Sequence, residues 1–293
     1  MRERVLQTGL VRWGWSQPAA AALVLGLAVW LCYPLLWPMS VASGGQHSRE
    51  SVIVIALTWM VVALLGIALW RDARRDYFPL AAAISVVAAN VLVRHFLNAG
   101  SGVEFNYALV FIAGAAGGGP VGVFVGAASC LVSQLMMNYV AVPLPGQVLA
   151  WALPGLVGAL VRPFRPVLAW VLLQASAVAY GVVAGILLNL TGWPFTDSES
   201  AYSFFEALPL HINASRLLAF SRETSFGIDL TRGITSATAI ALIGLPLIRL
   251  LRRWWRPDLN QPQRPPAPAV SDAAIQRRTL TSRFDAMWRK DNP

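Results

Sequence analysis

Long apolar runs alternate with short polar stretches along most of the chain, and the runs fall at Pro18–Met39, Ser51–Trp70, Pro79–Phe96, Tyr107–Gly117, Pro120–Met137, Gly146–Val161, Val167–Leu190 and Ile228–Leu251. Most are close to the roughly 20 residues that carry a helix across about 30 Å of hydrocarbon. The pattern predicts an all-α, polytopic membrane bundle of about eight transmembrane helices. It lacks the ten-residue alternation of a membrane β-barrel.

The fourth run is too short to span alone, because eleven helical residues rise only about 16 Å. It ends at Gly117-Gly118-Gly119-Pro120, a strong helix breaker. Charge decides whether Tyr107–Met137 crosses once or twice. Arg2, Arg4 and Arg12 precede the first span and place the N-terminus in the cytoplasm; Arg71, Arg74 and Arg75 follow the second span on the same side. Two crossings put Arg162, Arg165, Arg249, Arg252, Arg253 and Arg256 in the cytoplasm as well, whereas one crossing puts all six outside. The two-crossing topology follows, with both termini cytoplasmic. The non-helical backbone at Gly117–Pro120 must then be buried in protein or lie near the cytoplasmic surface.

The external segments on this topology are Ser40–Glu50, Leu97–Asn106, Asn138–Pro145 and Thr191–Gly227. Trp193 and Pro194 are expected where the chain leaves the bilayer, as interfacial aromatics are. The first run is read as a retained span rather than a signal peptide. Val41-Ala42-Ser43 would serve for cleavage, but the apolar stretch is too long for a signal core and contains Pro34, Trp37 and Pro38. Beyond the last span, Pro257–Ala269 reads as a proline-rich linker. Ser271 to Lys290 reads either as a basic amphipathic helix lying on an anionic membrane surface or as a solvated tail.

Composition agrees with a lipid environment: 56% of residues are hydrophobic, 13% are charged, and the mean hydropathy is +0.57. Soluble domains average about 25% charged residues. The net charge of +9 comes from arginines at helix ends, Lys290 being the only lysine. This is a topological signal and not a nucleic-acid surface. Cys32 and Cys130 lie inside apolar runs without metal-like spacing and read as small core residues.

Polar residues inside the runs are expensive and therefore candidates for function. Asn90 and Arg94 fall one turn apart on the third run; Gln134 and Asn138 are one turn apart at the outer end of the fifth. Gln147 opens the sixth run, with Trp151 one turn below, and Tyr180 and Asn189 lie in the seventh. Asp229 and Arg232 sit three apart at the start of the eighth, and Asn106 closes the second external segment. Most belong to the outer half of the bundle, as in a small-molecule pocket open to the outside. Snorkelling is the alternative for Arg94 and Arg232, interhelical hydrogen bonding for Asn90 and Gln134, and a structural ion pair for Asp229 and Arg232.

Ala81, Ser85 and Ala89 give a small-xxx-small face on the third run, suited to packing within the bundle or to a partner in the membrane. Gly114, Gly118, Gly122 and Gly126 repeat the spacing, and there internal packing is expected. The sequence holds no GxxxxGK[ST] and no HExxH; His47, His95 and His211 are scattered, and no pair of carboxylates lies within the runs. Neither an autonomous ATPase nor a metallohydrolase is supported, and no cofactor or metal is expected.

The stretch VFIAGAAGGGPVGVFVGAASCLVSQL, followed by VPLPGQVLAWALPGLVGA, YGVVAGILLNLTGWPF, SFGIDLTRG and GLPLIRLLRR, resembles the substrate-binding S component of an energy-coupling factor (ECF) transporter, of the longer actinobacterial type. The resemblance covers roughly Ala22–Arg253. It implies a six-helix core, here 79–251, with two added N-terminal helices, here 18–70. It further implies capture of a vitamin or related micronutrient, such as a cobalamin, at the outer face of a bacterial cell membrane. Release would be driven by a separate transmembrane T component and two cytoplasmic ATPases, so the chain itself would not be an enzyme. The face at Ala81, Ser85 and Ala89 corresponds to the family's docking surface for the T component. Two departures bear on the ligand: Val140–Pro145 lacks the aromatics usual in that loop, and Thr235 and Ser236 stand where an Asn is common. The competing functions are a membrane scaffold of envelope assembly, which would bind partners but no small ligand, and a membrane-embedded enzyme, for which no reactive constellation is found.

Overall fold

The computed structural model describes residues 14–37, 44–98, 102–195 and 201–255. The N-terminal arginines, the proline-rich linker and the basic tail lie outside them. Among the described residues the regular structure is helical: α1 Ser16–Leu36, α2 Gly44–Asp72, α3 Phe78–Leu97, α4 Asn106–Gly117, α5 Gly119–Met136, α6 Leu144–Leu160, α7 Pro166–Leu190, α8 Leu210–Thr224, α9 Phe226–Ala239 and α10 Leu245–Trp255. A five-residue π-helical turn, Ile240–Gly244, joins α9 to α10, so that Phe226–Trp255 runs as one 30-residue helix.

Apolar helices stand at all eight expected positions. Six of them are long and apolar enough to cross a membrane, and the protein is a multi-pass membrane protein. The other two, α4 and α6, have 12 and 17 residues.

Their shortness has a structural counterpart. In α4 every residue from Asn106 to Ala116 is buried, as expected of a helix that is apolar all round. It runs through the middle of the bundle between α5, α6, α7 and α10. Glycines make this possible. A Cβ built on Gly114 would lie 2.0 Å from the carbonyl oxygen of Gly155, and one on Gly126 would lie 2.0 Å from that of Trp151. The backbones of α4, α5 and α6 therefore touch, as small residues permit in membranes. Gly118 plays a different part from its three partners in the motif. It turns the chain between α4 and α5 at φ +98°, a conformation that favours glycine.

The turn at Gly118 belongs to a basic end of the bundle. Arg252 donates to the carbonyls of Ala115 (3.2 Å) and Phe164 (2.8 Å), taking up an acceptor that the last turn of α4 leaves free. The indole of Trp255 donates to Pro79 O at 3.0 Å. A carboxylate at the end of α2 caps the start of α1: Asp72 accepts from the N–H groups of Trp15 (2.9 Å) and Ser16 (2.8 Å). Within the π-helical turn, Trp170 donates to Ile240 O at 2.8 Å.

The expected external segment after α7 is not a simple loop. It contains a 3-10 turn at Trp193–Phe195 and the amphipathic α8. Trp193 is buried rather than presented to an interface. Its indole donates to Tyr202 O (2.8 Å) and its ring meets Phe204 edge-on, because the segment folds back over it.

Candidate functional site

At the end of the bundle opposite Arg252 lies a cavity of about 380 Å³. It is formed where α3, α5 and α7 end and α4 and α6 begin. Arg94, His95 and Asn98 line it from α3, and Glu104 and Tyr107 from the entry to α4. Met137, Gln147, Trp151 and Leu188 complete it. It is the polar cavity of a bundle whose other large grooves are lined almost wholly by apolar side chains among the described residues.

Arg94 turns inward instead of snorkelling. Its guanidinium stands 4.9 Å over the ring of Trp151, a cation–π contact, and donates to Ser133 Oγ at 2.7 Å. Among the described residues no carboxylate pairs with it. Gln147 and Gln134 hydrogen-bond to each other through their amides, joining α5 to α6.

A second charged cluster stands on the other side. Arg232, buried at the start of α9, donates to Asp229 Oδ1 at 2.6 Å, and its Nε and Nη2 lie 3.2 and 3.3 Å from the two oxygens of Glu104. Asp229 also accepts from Ser225 Oγ at 2.6 Å. It is shut in by α7, since a Cβ on Gly185 would fall 1.9 Å from the carboxyl group. Asp229 therefore positions Arg232 and does not line the cavity; Glu104 does.

The segment carrying Glu104 is bound to α9. Ser236 Oγ donates to the Glu104 carbonyl (3.2 Å) and Thr235 Oγ1 accepts from its N–H (3.3 Å). Gly102, at φ +86°, passes so close that a Cβ would lie 2.2 Å from Ile228 O. Thr235 and Ser236 thus serve to hold the neighbouring segment.

Of the ten residues singled out for substrate binding, Arg94, Gln147 and Trp151 line the cavity. Gln134 stands behind Gln147, and Arg232 reaches the cavity through Glu104. Asn106 is buried beside it, with Oδ1 accepting from Asn98 at 2.9 Å and Nδ2 without a partner. Tyr180 supports the floor: its hydroxyl donates to Ala150 O at 2.6 Å, and its ring packs edge-on against Tyr107 and Phe111. Asn189 is engaged with Ser221 and Ser225 (3.0 and 2.8 Å), away from the cavity. Asn138 is exposed on the turn after α5 at φ +52°. Asn90, one turn below Arg94, is fully buried, and neither of its side-chain polar atoms has a partner.

Glu104 and Tyr107 were not singled out from the sequence. Glu104 sits in a segment that reads as an ordinary polar loop, and Tyr107 reads as the first apolar residue of a span. The available signal was that Glu104 is the only charged residue between Arg94 and Arg162. In the structure Tyr107 is buried with its hydroxyl unpartnered, beside Trp151 (centroids 5.9 Å apart).

On the small-residue face of α3, Ala81, Ser85 and Ala89 all point away from the bundle, and Ser85 satisfies its hydroxyl on Ala81 O (2.9 Å). No protein-family model, no curated protein and no solved structure matches the chain.

Proposed function

We propose that this protein is the substrate-capturing subunit of an ATP-driven importer of the ECF type, binding a small vitamin-like micronutrient at the outer face of a bacterial cell membrane. The observation that carries the reading is the cavity itself. Its volume lies within the few-hundred to about 1,000 Å³ range of small-molecule sites, and it brings two charged groups and two aromatic rings together in an otherwise apolar bundle. It stands opposite the basic end, which supports an outward-facing site under the positive-inside rule.

On this reading the chain crosses the membrane eight times with both termini cytoplasmic, and α3 to α10 form the ligand-binding core. The outward small-residue face of α3 would dock a transmembrane T component served by two cytoplasmic ATPases. The chain binds and presents its ligand without catalysing a reaction. The cavity volume favours a small vitamin over a cobalamin, whose macrocycle is far larger.

Native mass spectrometry of the protein, gently solubilised from its producing membrane, tests this. A bound vitamin-like mass, or one acquired on challenge with a vitamin panel that includes cobalamin, is the expected result. A mass that stays that of the bare chain throughout would overturn capture and favour a scaffold role.

A further inference from the structure

We propose that the ligand of this cavity is a small zwitterion, whose anionic group meets Arg94 and whose cationic group meets Glu104; the proposal rests on the capture reading above and specifies its substrate class. The two sides of the cavity carry opposite, unbalanced charge. On one side a single guanidinium, Arg232, faces two carboxylates, Asp229 and Glu104. That cluster keeps a net negative charge, and Glu104 is its member in the cavity wall. On the other side Arg94 has, among the described residues, only Ser133 and the face of Trp151 as partners. One bond to Ser133 leaves most of its five N–H donors free, in the planar fork that recognises carboxylate or phosphate.

An unpaired charge in a low-dielectric site costs much and is offset by an opposite charge brought to it. A simple anion would satisfy Arg94 but approach the surplus carboxylate. A simple cation would do the reverse. A dipolar molecule satisfies both ends, and the desolvation of each of its charged groups is offset by the opposite charge that the wall already holds there. The rings of Trp151 and Tyr107 lie in the wall as an apolar surface for the body of the ligand. The unpartnered Tyr107 hydroxyl offers one further donor or acceptor.

The test is equilibrium dialysis of the full chain in lipid nanodiscs against four matched probes. They are 4-(aminomethyl)benzoate (zwitterion), 4-methylbenzoate (anion), 4-methylbenzylamine (cation) and 4-methylbenzyl alcohol (neutral). The zwitterion is expected to bind roughly tenfold or more tightly than each of the others, as two charge-assisted contacts warrant. Arg94→Gln should abolish its advantage over the cation, Arg94→Lys should retain most of it, and Glu104→Gln, which still accepts from Arg232, should abolish its advantage over the anion. Equal binding of all four probes, preference for a singly charged one, or no binding of any at millimolar concentration overturns the proposal. A singly charged vitamin found by native mass spectrometry would likewise overturn the zwitterion while leaving the capture reading intact. Zwitterion binding by a protein whose deletion leaves uptake of every vitamin unchanged would support this inference and sink the importer reading.

Discussion

Gly155 of α6 and Gly122 of α5 face each other across the centre of the bundle with no room for a side chain on either. A Cβ on Gly155 would stand 2.2 Å from the carbonyl carbon of Gly122, and one on Gly122 would stand 2.5 Å from the Cα of Gly155. Because backbone is the obstacle, no rotamer change relieves the clash. Gly155→Val should therefore separate α5 from α6 and cost at least the 1–3 kcal/mol or so of overpacking. The expected readout is a large fall in melting temperature and loss of the monodisperse peak in mild detergent. Gly26→Ala, on a face of α1 where a Cβ meets nothing within 4 Å, is the control and should be neutral or slightly stabilising.

Asp229 and Gln147 should fail in different ways. Asp229 is buried and holds a buried guanidinium at 2.6 Å, so Asp229→Ala removes the shorter of the two contacts to Arg232 and leaves it with Glu104 alone. Breaking a buried pair typically costs about 3–5 kcal/mol when the remaining charge is left alone, and with Glu104 still at Arg232 the cost should fall below that range. Lower thermal stability of the ligand-free protein is expected. Gln147→Ala removes a cavity wall group whose partner, Gln134, lies next to the cavity; it should weaken ligand binding severalfold with little change in melting temperature. Unchanged affinity in the Gln147 variant would remove that residue from the site.

Bulk on the outward face of α3 separates docking from binding. Ser85→Trp projects away from the cavity. Uptake by cells carrying the full transporter should be abolished, while ligand affinity of the purified variant stays as in the parent. Equal loss of both would show that the face serves the subunit's own fold.

The proposed orientation is open to labelling. In a background with Cys32 and Cys130 replaced by Ser, Asn138→Cys should react with a membrane-impermeant maleimide on intact cells. Asp76→Cys, in the turn between α2 and α3, should react only after the cells are broken. The reverse pattern would invert the topology and place the cavity on the cytoplasmic side.

Much of this architecture was legible in the pattern of the chain. Lipid punishes an unsatisfied backbone, so each apolar run had to be a helix, and Gly117-Gly118-Gly119-Pro120 had to break one. The Asp229–Arg232 contact follows from helical spacing, because residues three apart share a face. The small-residue faces were also visible, and internal packing was expected of the glycines, but the spacing left open the direction faced by Ala81, Ser85 and Ala89. Gly114, Gly122 and Gly126 turned inward to touch α6, whereas Ala81, Ser85 and Ala89 turned outward, and identical spacing holds no record of which face meets a neighbour.

The sequence by itself determined the eight apolar helices, most of their approximate ends and the clustering of arginine near those ends, since these depend on local hydropathy, glycine and charge; the amphipathic α8 it did not show. Only the tertiary structure decided which polar residues share a cavity. Asn138 and Asn189 stand at the cavity end of the bundle like Gln147, yet one is exposed on a turn and the other bonds to the segment at the start of α9. Glu104 looked like a loop residue until α9 brought Arg232 to it across 128 positions of chain. Helix rotation and the path of the connecting segments set these meetings. Both are fixed by packing between distant parts of the chain, which periodicity within one helix does not encode.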